Sequence, residues 1–189
     1  MTISVVSICN RALDLLKADP ITSLADNSEA ARLCARNYEP VRDAVLRAYP
    51  WNAAERRVSL AALSDAPAWG YARQFQLPVD CLRVLTLENQ EAGAQYRIEG
   101  RRVLTDEAAP LNILYLARVT DPAELDALLA DTIAARLAAD LAYPLTGSTS
   151  LAQAMFTTYQ AKLAEARRCD AQEGTPEPLD ANQWLESRA

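Results

Sequence analysis

The sequence predicts an α+β fold: a helical bundle, a central antiparallel β meander and an extended C-terminal tail. Helical periodicity dominates both ends of the chain, whereas between Trp51 and Val119 short apolar runs alternate with prolines and glycines. We therefore expect residues 1–52 and 120–172 to form one helical domain. Residues 53–119 form a β-rich inserted region, and residues 173–189 form a tail that becomes ordered when it binds a partner.

Two helical patterns fill the N-terminal region. Apolar residues three and four positions apart predict a first helix over residues 4–18, ended by Asp19-Pro20. A second helix begins after a polar loop, where either Asn27 or Ser28 can cap its first turn. Its apolar face is formed by Cys34, Tyr38, Val41, Val45 and Ala48.

Pro40 lies inside this second pattern. A proline there lacks an N–H donor and collides with the carbonyl four residues earlier. The sequence therefore predicts a kink between Arg36 and Pro40, or two shorter helices end to end. The Tyr49-Pro50 step is expected to end the helical region.

Short strands are predicted in the central region. The candidates are residues 82–87, 95–98, 102–104 and 111–119, with a turn at Glu99-Gly100-Arg101. The connections are too short to contain the crossover helices of a parallel sheet, so we expect an antiparallel meander. Residues 53–63 are compatible with either an extended segment or a short Ala-rich helix.

A helical hairpin follows the strands. Asp121-Pro122 is a suitable start for its first helix, and the segment Tyr143-Pro144-Leu145-Thr146-Gly147 is expected to end that helix. Two apolar stripes are predicted to face each other, namely Leu125, Leu129, Ile133, Leu137 and Leu141 on the first helix and Leu151, Met155, Tyr159, Leu163 and Ala166 on the second. This spacing is typical of a helical core and by itself requires no partner.

The tail begins with a linker rich in proline and acidic residues. Beyond this linker lie Leu179, Trp184, Leu185 and Arg188. A Trp-Leu pair in this position either folds back onto its own subunit or anchors another chain, since Trp and Arg often carry interface energy. The residues alone leave both explanations open.

The composition limits the chemistry that this chain can perform. It contains no histidine, which excludes His-dependent triads, zinc sites of the H-E-x-x-H type and His-based acid–base catalysis. The four isolated cysteines predict four buried, reduced thiols, and the dispersed glycines form no phosphate-binding loop. We therefore predict no catalytic residue, no cofactor and no metal site.

Charge and hydropathy indicate the kind of partner. A net charge of −6 disfavours a protein that grips phosphates, because such binding depends on clustered Lys and Arg. No run approaches the ~18 apolar residues that would suggest a membrane span, and no basic residue precedes the apolar N-terminus as in a signal peptide. We expect the chain to stay in the compartment where it is made, without membrane contact.

Several segments together resemble one viral family. They are Tyr38-Glu39-Pro40-Val41-Arg42-Asp43 with Pro50-Trp51-Asn52, Leu77-Pro78-Val79-Asp80, the run Leu114-Tyr115-Leu116-Ala117-Arg118-Val119, and the hairpin around Tyr143-Pro144. In this order they are similar to the tail tubular protein A family, the head-to-tail adaptors of short-tailed phages and related prophages. We call Tyr38, Pro40, Arg42, Pro50, Trp51, Asn52, Leu77, Pro78, Asp80, Tyr143 and Pro144 the signature residues.

The resemblance implies a structural protein of the virion rather than an enzyme. Its subunits would form a ring, of twelve copies in the virion, beneath the portal protein and provide the platform for the tail nozzle protein. DNA would pass through the channel without sequence-specific binding. The tail would bind the portal through Leu179, Trp184, Leu185 and Arg188, and assembly would take place in the host cytoplasm.

Two alternatives belong to other classes. Some adaptors of similar build have been credited with cell-wall hydrolysis, so a glycan hydrolase could use carboxylates such as Asp80, Asp106 or Asp121. A neck or stopper protein of a long-tailed phage would share the helical build. Either alternative is compatible with the composition alone.

Overall fold

Four α-helices and two three-stranded antiparallel sheets make up the described part of the chain, residues 3–88 and 95–173 of a computed structural model. This confirms the predicted α+β class. The elements in order are α1 (Val5–Leu15), α2 (Glu29–Ala48), β1 (Glu55–Leu60), β2 (Arg73–Gln76), β3 (Cys81–Leu87), β4 (Tyr96–Glu99), β5 (Arg102–Thr105), β6 (Leu111–Ala117), α3 (Ala127–Thr146) and α4 (Thr149–Asp170).

Side-chain caps fix where the first two helices begin. Ser4 precedes α1 and accepts a hydrogen bond from the Ser7 N–H at 3.1 Å. Of the two predicted caps for α2, Ser28 is the N-cap. Its hydroxyl accepts a hydrogen bond from the Ala31 N–H at 3.1 Å. The first helix ends earlier than predicted because the chain turns at Lys17, whose φ is +56°.

Pro40 does not divide the second helix. The helix α2 runs continuously through it, so the alternative of two shorter helices was wrong. Pro40 and Arg36 are both exposed, which lets water reach the carbonyl that loses its helical donor. The helix ends at Ala48, as the Tyr49-Pro50 step predicted.

The helical hairpin turns within the predicted segment, residues 143–147. Pro144 lies within α3, which ends at Thr146, and Gly147 then adopts a φ of +67° and donates its N–H to the Tyr143 carbonyl at 2.8 Å. Pro144 is exposed, as is Asp140 four residues before it. Gly147 is the residue that ends the helix, because glycine adopts a left-handed conformation at little cost.

The first helix of the hairpin also starts later than Asp121-Pro122 suggested. Asp121 caps only a short 3₁₀ turn, Pro122–Glu124. Asp126 then caps α3 and accepts from the backbone N–H groups of Leu128 at 2.7 Å and Leu129 at 3.0 Å. Two Asp caps within six residues explain the error in the predicted boundary.

The strands pair antiparallel, as predicted, but in two sheets rather than in one sequential meander. Their orders are β1-β6-β3 and β2-β5-β4. The hairpin of β4 and β5 is formed at the predicted turn, where Gly100 and Arg101 have φ values of +50° and +64°. The strand β6 is central to its sheet because it pairs with both β1 and β3, and its residues Leu111, Ile113 and Tyr115 are buried.

The chain after β1 connects the two sheets. Ala62 bridges to Phe75 on β2, and the Leu63 N–H donates to the Gln74 carbonyl at 2.9 Å. The ambiguous segment 53–63 is therefore mainly extended, preceded by a short 3₁₀ turn at Asn52–Ala54.

Two apolar clusters pack on opposite faces of β6. Leu116 belongs to the helical cluster, whereas Ile113 and Tyr115 face the cluster between the sheets. The predicted stripe of α3 is buried in the helical cluster, as Leu125, Leu129, Ile133, Leu137 and Leu141. On α4 the facing stripe is buried at Tyr159 and Ala166 and partly buried at its other members.

The cysteines are all free, but only three are buried. Cys9 and Cys34 are buried on α1 and α2, and Cys81 is buried at the start of β3. Cys169 is exposed on the last turn of α4, which corrects the expectation of four buried thiols.

Among the described residues, no helix has the length and hydropathy required to cross a bilayer.

Candidate functional site

The signature residues of α2 lie around one carboxylate. Asp43 accepts a hydrogen bond from Arg42 Nε at 2.9 Å and one from Arg118 Nε at 2.7 Å. Arg42 is almost completely buried, and its guanidinium lies 5.9 Å from the centre of the Tyr38 ring. We call Arg42, Asp43 and Arg118 the Asp43 cluster. Burial raises the pKa of Tyr38, and the positive charge of Arg42 opposes that rise.

A groove of about 410 Å³ opens beside the Asp43 cluster. Glu39, Pro40 and Thr120 complete its lining. Two carboxylates and two guanidinium groups line this groove, so neither sign of charge dominates it. The arrangement is typical of a structural junction, since both guanidinium groups are already directed at Asp43.

Arg118 also connects α2 with the second signature segment. Its backbone N–H donates to the Asp80 carbonyl oxygen at 2.8 Å, while its side chain holds Asp43. The turn at Pro78 to Asp80 is further held by Arg101, whose guanidinium donates to the Pro78 carbonyl at 2.5 Å. The structure thus brings two signature segments together that are far apart in sequence.

The remaining signature residues near the N-terminal helices form a corner between α2 and β1, at residues 49–52. Trp51 is completely buried, and its indole Nε1 donates to the Val45 carbonyl at 3.0 Å. The ring of Tyr49 packs edge-on against Trp51, with centroids 4.9 Å apart. The Arg167 guanidinium lies 5.3 Å from the centre of the Tyr49 ring. The last turns of α4 therefore pack against this corner.

Asn52 binds the end of α4 directly. Its backbone N–H donates to the Asp170 carboxylate at 3.1 Å, and its side-chain amide donates to the Asp170 carbonyl at 2.8 Å. Burial raises the pKa of Asp170, although the hydrogen bond from Asn52 acts in the opposite direction. Asp170 is the last residue of α4, so Asn52 fixes the end of that helix beside the corner.

Tyr143 and Pro144 lie elsewhere, at the exposed tip of the helical hairpin. The residues predicted to bind the portal, Leu179, Trp184, Leu185 and Arg188, lie outside the described residues. The structure therefore gathers most signature residues at two junctions, the Asp43 cluster and the corner, and leaves the hairpin tip separate from them.

The three carboxylates considered for hydrolysis occupy separate turns, before β3, after β5 and after β6. Asp106 accepts from the Ala72 N–H at 2.7 Å, and Asp121 accepts from the Ala123 N–H at 2.9 Å. Asp80 lies 3.4 Å from the hydroxyl of Tyr115, whose pKa is raised by burial and by this neighbouring charge. Each carboxylate thus has a local structural partner.

Within residues 3–88 and 95–173, no group of three or more Cys, Asp or Glu side chains could hold a metal ion.

Sequence reasoning missed three polar anchors. They are Asp43 with Arg118, Asp170 with Asn52, and Asp131, which binds Arg11 at 3.0 Å and also binds Lys162. Partial burial alone would raise the pKa of Asp131, but the hydrogen bonds from Lys162 and Arg11 outweigh burial and lower it. Each anchor joins distant segments, and a local pattern gives no signal for such pairs.

Comparison with known proteins adds no further assignment. No known protein family matches this chain, and no curated protein is similar enough in sequence to count as a relative.

Proposed function

We propose that this chain is a head-to-tail adaptor subunit of a phage or prophage. It would form a ring under the portal protein, present a platform to the nozzle protein and let DNA pass through the ring. The proposal starts from the resemblance carried by the signature residues. Its main structural support is the corner, where Trp51 is bound to α2 and Asn52 holds the last turn of α4.

The corner matters for this function because it fixes the origin of the tail. A segment that reaches for a partner loses less conformational freedom on binding if one end is already held in place. Asn52 and Asp170 provide this attachment at the end of α4, three residues before Glu173. The apolar residues Leu179, Trp184 and Leu185 would then contact the portal, with Arg188 at the end of the contact.

The net charge agrees with a channel subunit. An acidic chain repels phosphates, so DNA could pass without being retained. The local roles of Asp80, Asp106 and Asp121 offer no support for the hydrolase alternative.

Binding to the portal tests the proposal. The full chain, a chain ending at Glu173, Trp184→Ala and Trp69→Ala would each be titrated against the portal protein of the same phage or prophage. We expect the truncation and Trp184→Ala to weaken binding at least about tenfold, because a central aromatic anchor often carries about 2 kcal/mol. Trp69 is 83% exposed in a loop and serves as the matched control.

The outcomes separate the parts of this proposal. Unchanged binding by the truncated chain would remove the tail from the contact, and no binding by the full chain would contradict the adaptor function. Imaging of the complex would distinguish an adaptor ring from a stopper by its position. Clearing of peptidoglycan by the purified chain, abolished by Asp80→Asn, Asp106→Asn or Asp121→Asn, would instead support the hydrolase.

A further inference from the structure

A small apolar groove lies between α1 and the start of α3. It has a volume of about 150 Å³. Its apolar lining consists of Ile3, Ile8, Ala127 and Ala130, and Ser7, Arg11 and Asp131 complete it. An apolar cavity of about 150 Å³ is large enough to bind benzene, so the ring of one apolar side chain can enter here. We call this site the α1–α3 groove.

The charges beside the groove are mainly basic, unlike those of the chain as a whole. Asp131 binds Arg11 at 3.0 Å and also binds Lys162 of α4. These three side chains carry a combined charge of +1, in a chain whose net charge is −6. The side chain of Arg11 is 55% exposed, so its guanidinium can meet a second carboxylate. An acidic segment with an apolar side chain therefore complements the groove.

The sequence after α4 contains a segment of this composition. Residues 179–186 include two leucines and Trp184, and their only charged residues are Asp180 and Glu186. The segment lies outside the described residues. A buried indole N–H requires a hydrogen-bond acceptor, and the carboxylate of Asp131 would supply one at the rim of the groove. Trp184 is therefore the side chain that suits the groove best.

The end of α4 lies close enough for this segment to reach the groove. Helices α3 and α4 are joined by only two residues, and Lys162 of α4 binds Asp131 in the groove lining. Asp170, the last residue of α4, lies eight residues further, or about 12 Å along the helix. A flexible chain of the fourteen residues from Asp170 to Trp184 spans about 20 Å on average. This distance is sufficient for Trp184 to enter the groove.

We propose that residues 179–186 fold back onto their own subunit and place Trp184 in the α1–α3 groove when no portal protein is bound. The portal protein would compete with the groove for the same indole. The fold-back thus covers the apolar anchor of a free subunit and releases it when the partner is present. The inference rests on the proposed function only in naming the portal protein as the competitor.

The covalent connection makes a weak contact sufficient. A short flexible linker gives the attached segment an effective concentration of about 1 mM at the groove. We expect one buried side chain to bind with a dissociation constant of about 1 mM as well. About half of the free subunits would then be closed at any moment, so the tail stays available to the portal protein.

Quenching of tryptophan fluorescence by acrylamide tests the fold-back in the full chain. A Trp69→Phe variant keeps Trp184 and Trp51, and Trp51 is completely buried. Subtracting the emission of a Trp69→Phe, Trp184→Phe variant isolates the signal of Trp184. We expect its quenching constant to be about half of that measured for a free peptide of residues 174–189.

A charge at the mouth of the groove should release Trp184. Ala127 is exposed, lines the groove and is the first residue of α3. Ala127→Glu, made in the Trp69→Phe chain, would repel Asp180 and Glu186. The variant should fold normally, because an acidic residue is favourable in the first turn of a helix. We expect the quenching constant of Trp184 to rise about twofold, to the value of the free peptide.

Thr149→Glu is the matched control. Thr149 is the exposed first residue of α4, at the other end of the hairpin and about 30 Å from Ala127 along α3. The substitution adds the same charge at the same helix position, so the quenching constant should not change. Ala127→Glu should also bind the portal protein about twofold more tightly than Thr149→Glu, because the competing groove is blocked.

Each result decides the proposal. Quenching of Trp184 as strong in the full chain as in the free peptide would overturn the fold-back, whichever segment occupies the groove instead. Protection that persists in Ala127→Glu, or an equal rise in both glutamate variants, would overturn the groove as its site. Equal portal affinities of the two variants would overturn the competition. The quenching measurement needs no portal protein, so its failure is distinguishable from a failure of portal binding.

Discussion

Asp43 shows how a single side chain can hold distant segments together. Its two carboxylate oxygens bind Arg42 on α2 and Arg118 beyond β6, which is 75 residues away in the chain. Arg42 retains only 5% side-chain exposure, so its charge depends on Asp43 for compensation. The sequence predicted α2 and the strand before Arg118, but it could not predict that these two side chains meet.

Asp43→Ala should therefore be strongly destabilising. It would leave the buried guanidinium of Arg42 without its carboxylate, and we expect a loss of about 3 kcal/mol in the free energy of unfolding. Asp140→Ala removes a more exposed partner of an i,i+4 pair on α3 and should cost about 0.5 kcal/mol or less. Urea denaturation of both variants checks this, and equal losses would contradict the role of Asp43.

The buried carboxyl of Asp170 predicts a dependence on pH. Its folded pKa lies above the ordinary value of 3.8, so its stabilising contribution is complete below 3.8 and is lost as pH rises through the folded pKa. Asp170→Asn keeps an acceptor for the Asn52 N–H and removes the charge. We expect this variant to melt at or above the wild-type temperature at pH 7.

The same comparison at lower pH provides the test. The difference in melting temperature should disappear as the wild-type carboxyl becomes protonated below about pH 4. Asp170→Ala removes the acceptor altogether and should cost about 1 kcal/mol at either pH. An Asp170→Asn variant that melts below the wild type at pH 7 would show that the charge itself stabilises the corner.

At the scale of the elements, two prolines lie inside helices and end neither of them. Pro40 and Pro144 are exposed, and each lies four residues after another exposed residue, Arg36 or Asp140. Apolar packing on the opposite side keeps both helices continuous, which local helix propensity could not predict. The same tertiary effect explains why Pro40 does not divide α2 into the two shorter helices of one predicted alternative.

Pro40→Ala should stabilise the protein. The new N–H can donate to the Arg36 carbonyl, and alanine favours a helix interior over proline by up to about 3 kcal/mol. We expect the free energy of unfolding, measured by chemical denaturation, to rise by about 1–3 kcal/mol. Pro20→Ala, in the loop after α1, is the control and should give no gain, because that loop contains no helical bond to restore. A lower free energy of unfolding for Pro40→Ala would mean that the proline ring stabilises the protein by packing in the groove beside the Asp43 cluster.

At the scale of the whole molecule, β6 joins the helical part to the sheets. Leu116 packs among the helices while its neighbours Ile113 and Tyr115 pack between the sheets. The sequence predicted the class, most elements and the buried stripe of α3, because these follow from periodicity. It could not predict that β1 pairs with β6 or that β2 pairs with β5 in a second sheet, because these contacts join residues 51 to 61 and 26 to 32 positions apart.

This shared strand predicts that the protein unfolds as one unit. A Trp69→Phe, Trp184→Phe variant would leave Trp51 as the only tryptophan, reporting on the helical part. Its fluorescence and the far-ultraviolet circular dichroism should give the same midpoint in urea. Two separate midpoints would show instead that residues 53–119 form a region that unfolds independently.

The bonds between Asn52 and Asp170 have a mechanical consequence. Asn52 lies three residues before β1, and Asp170 is the last residue of α4. A pull on the C-terminus would therefore reach the start of β1 as well as α4. The six residue pairs between β1 and β6 would share this tension, so the helical hairpin would not have to resist it alone.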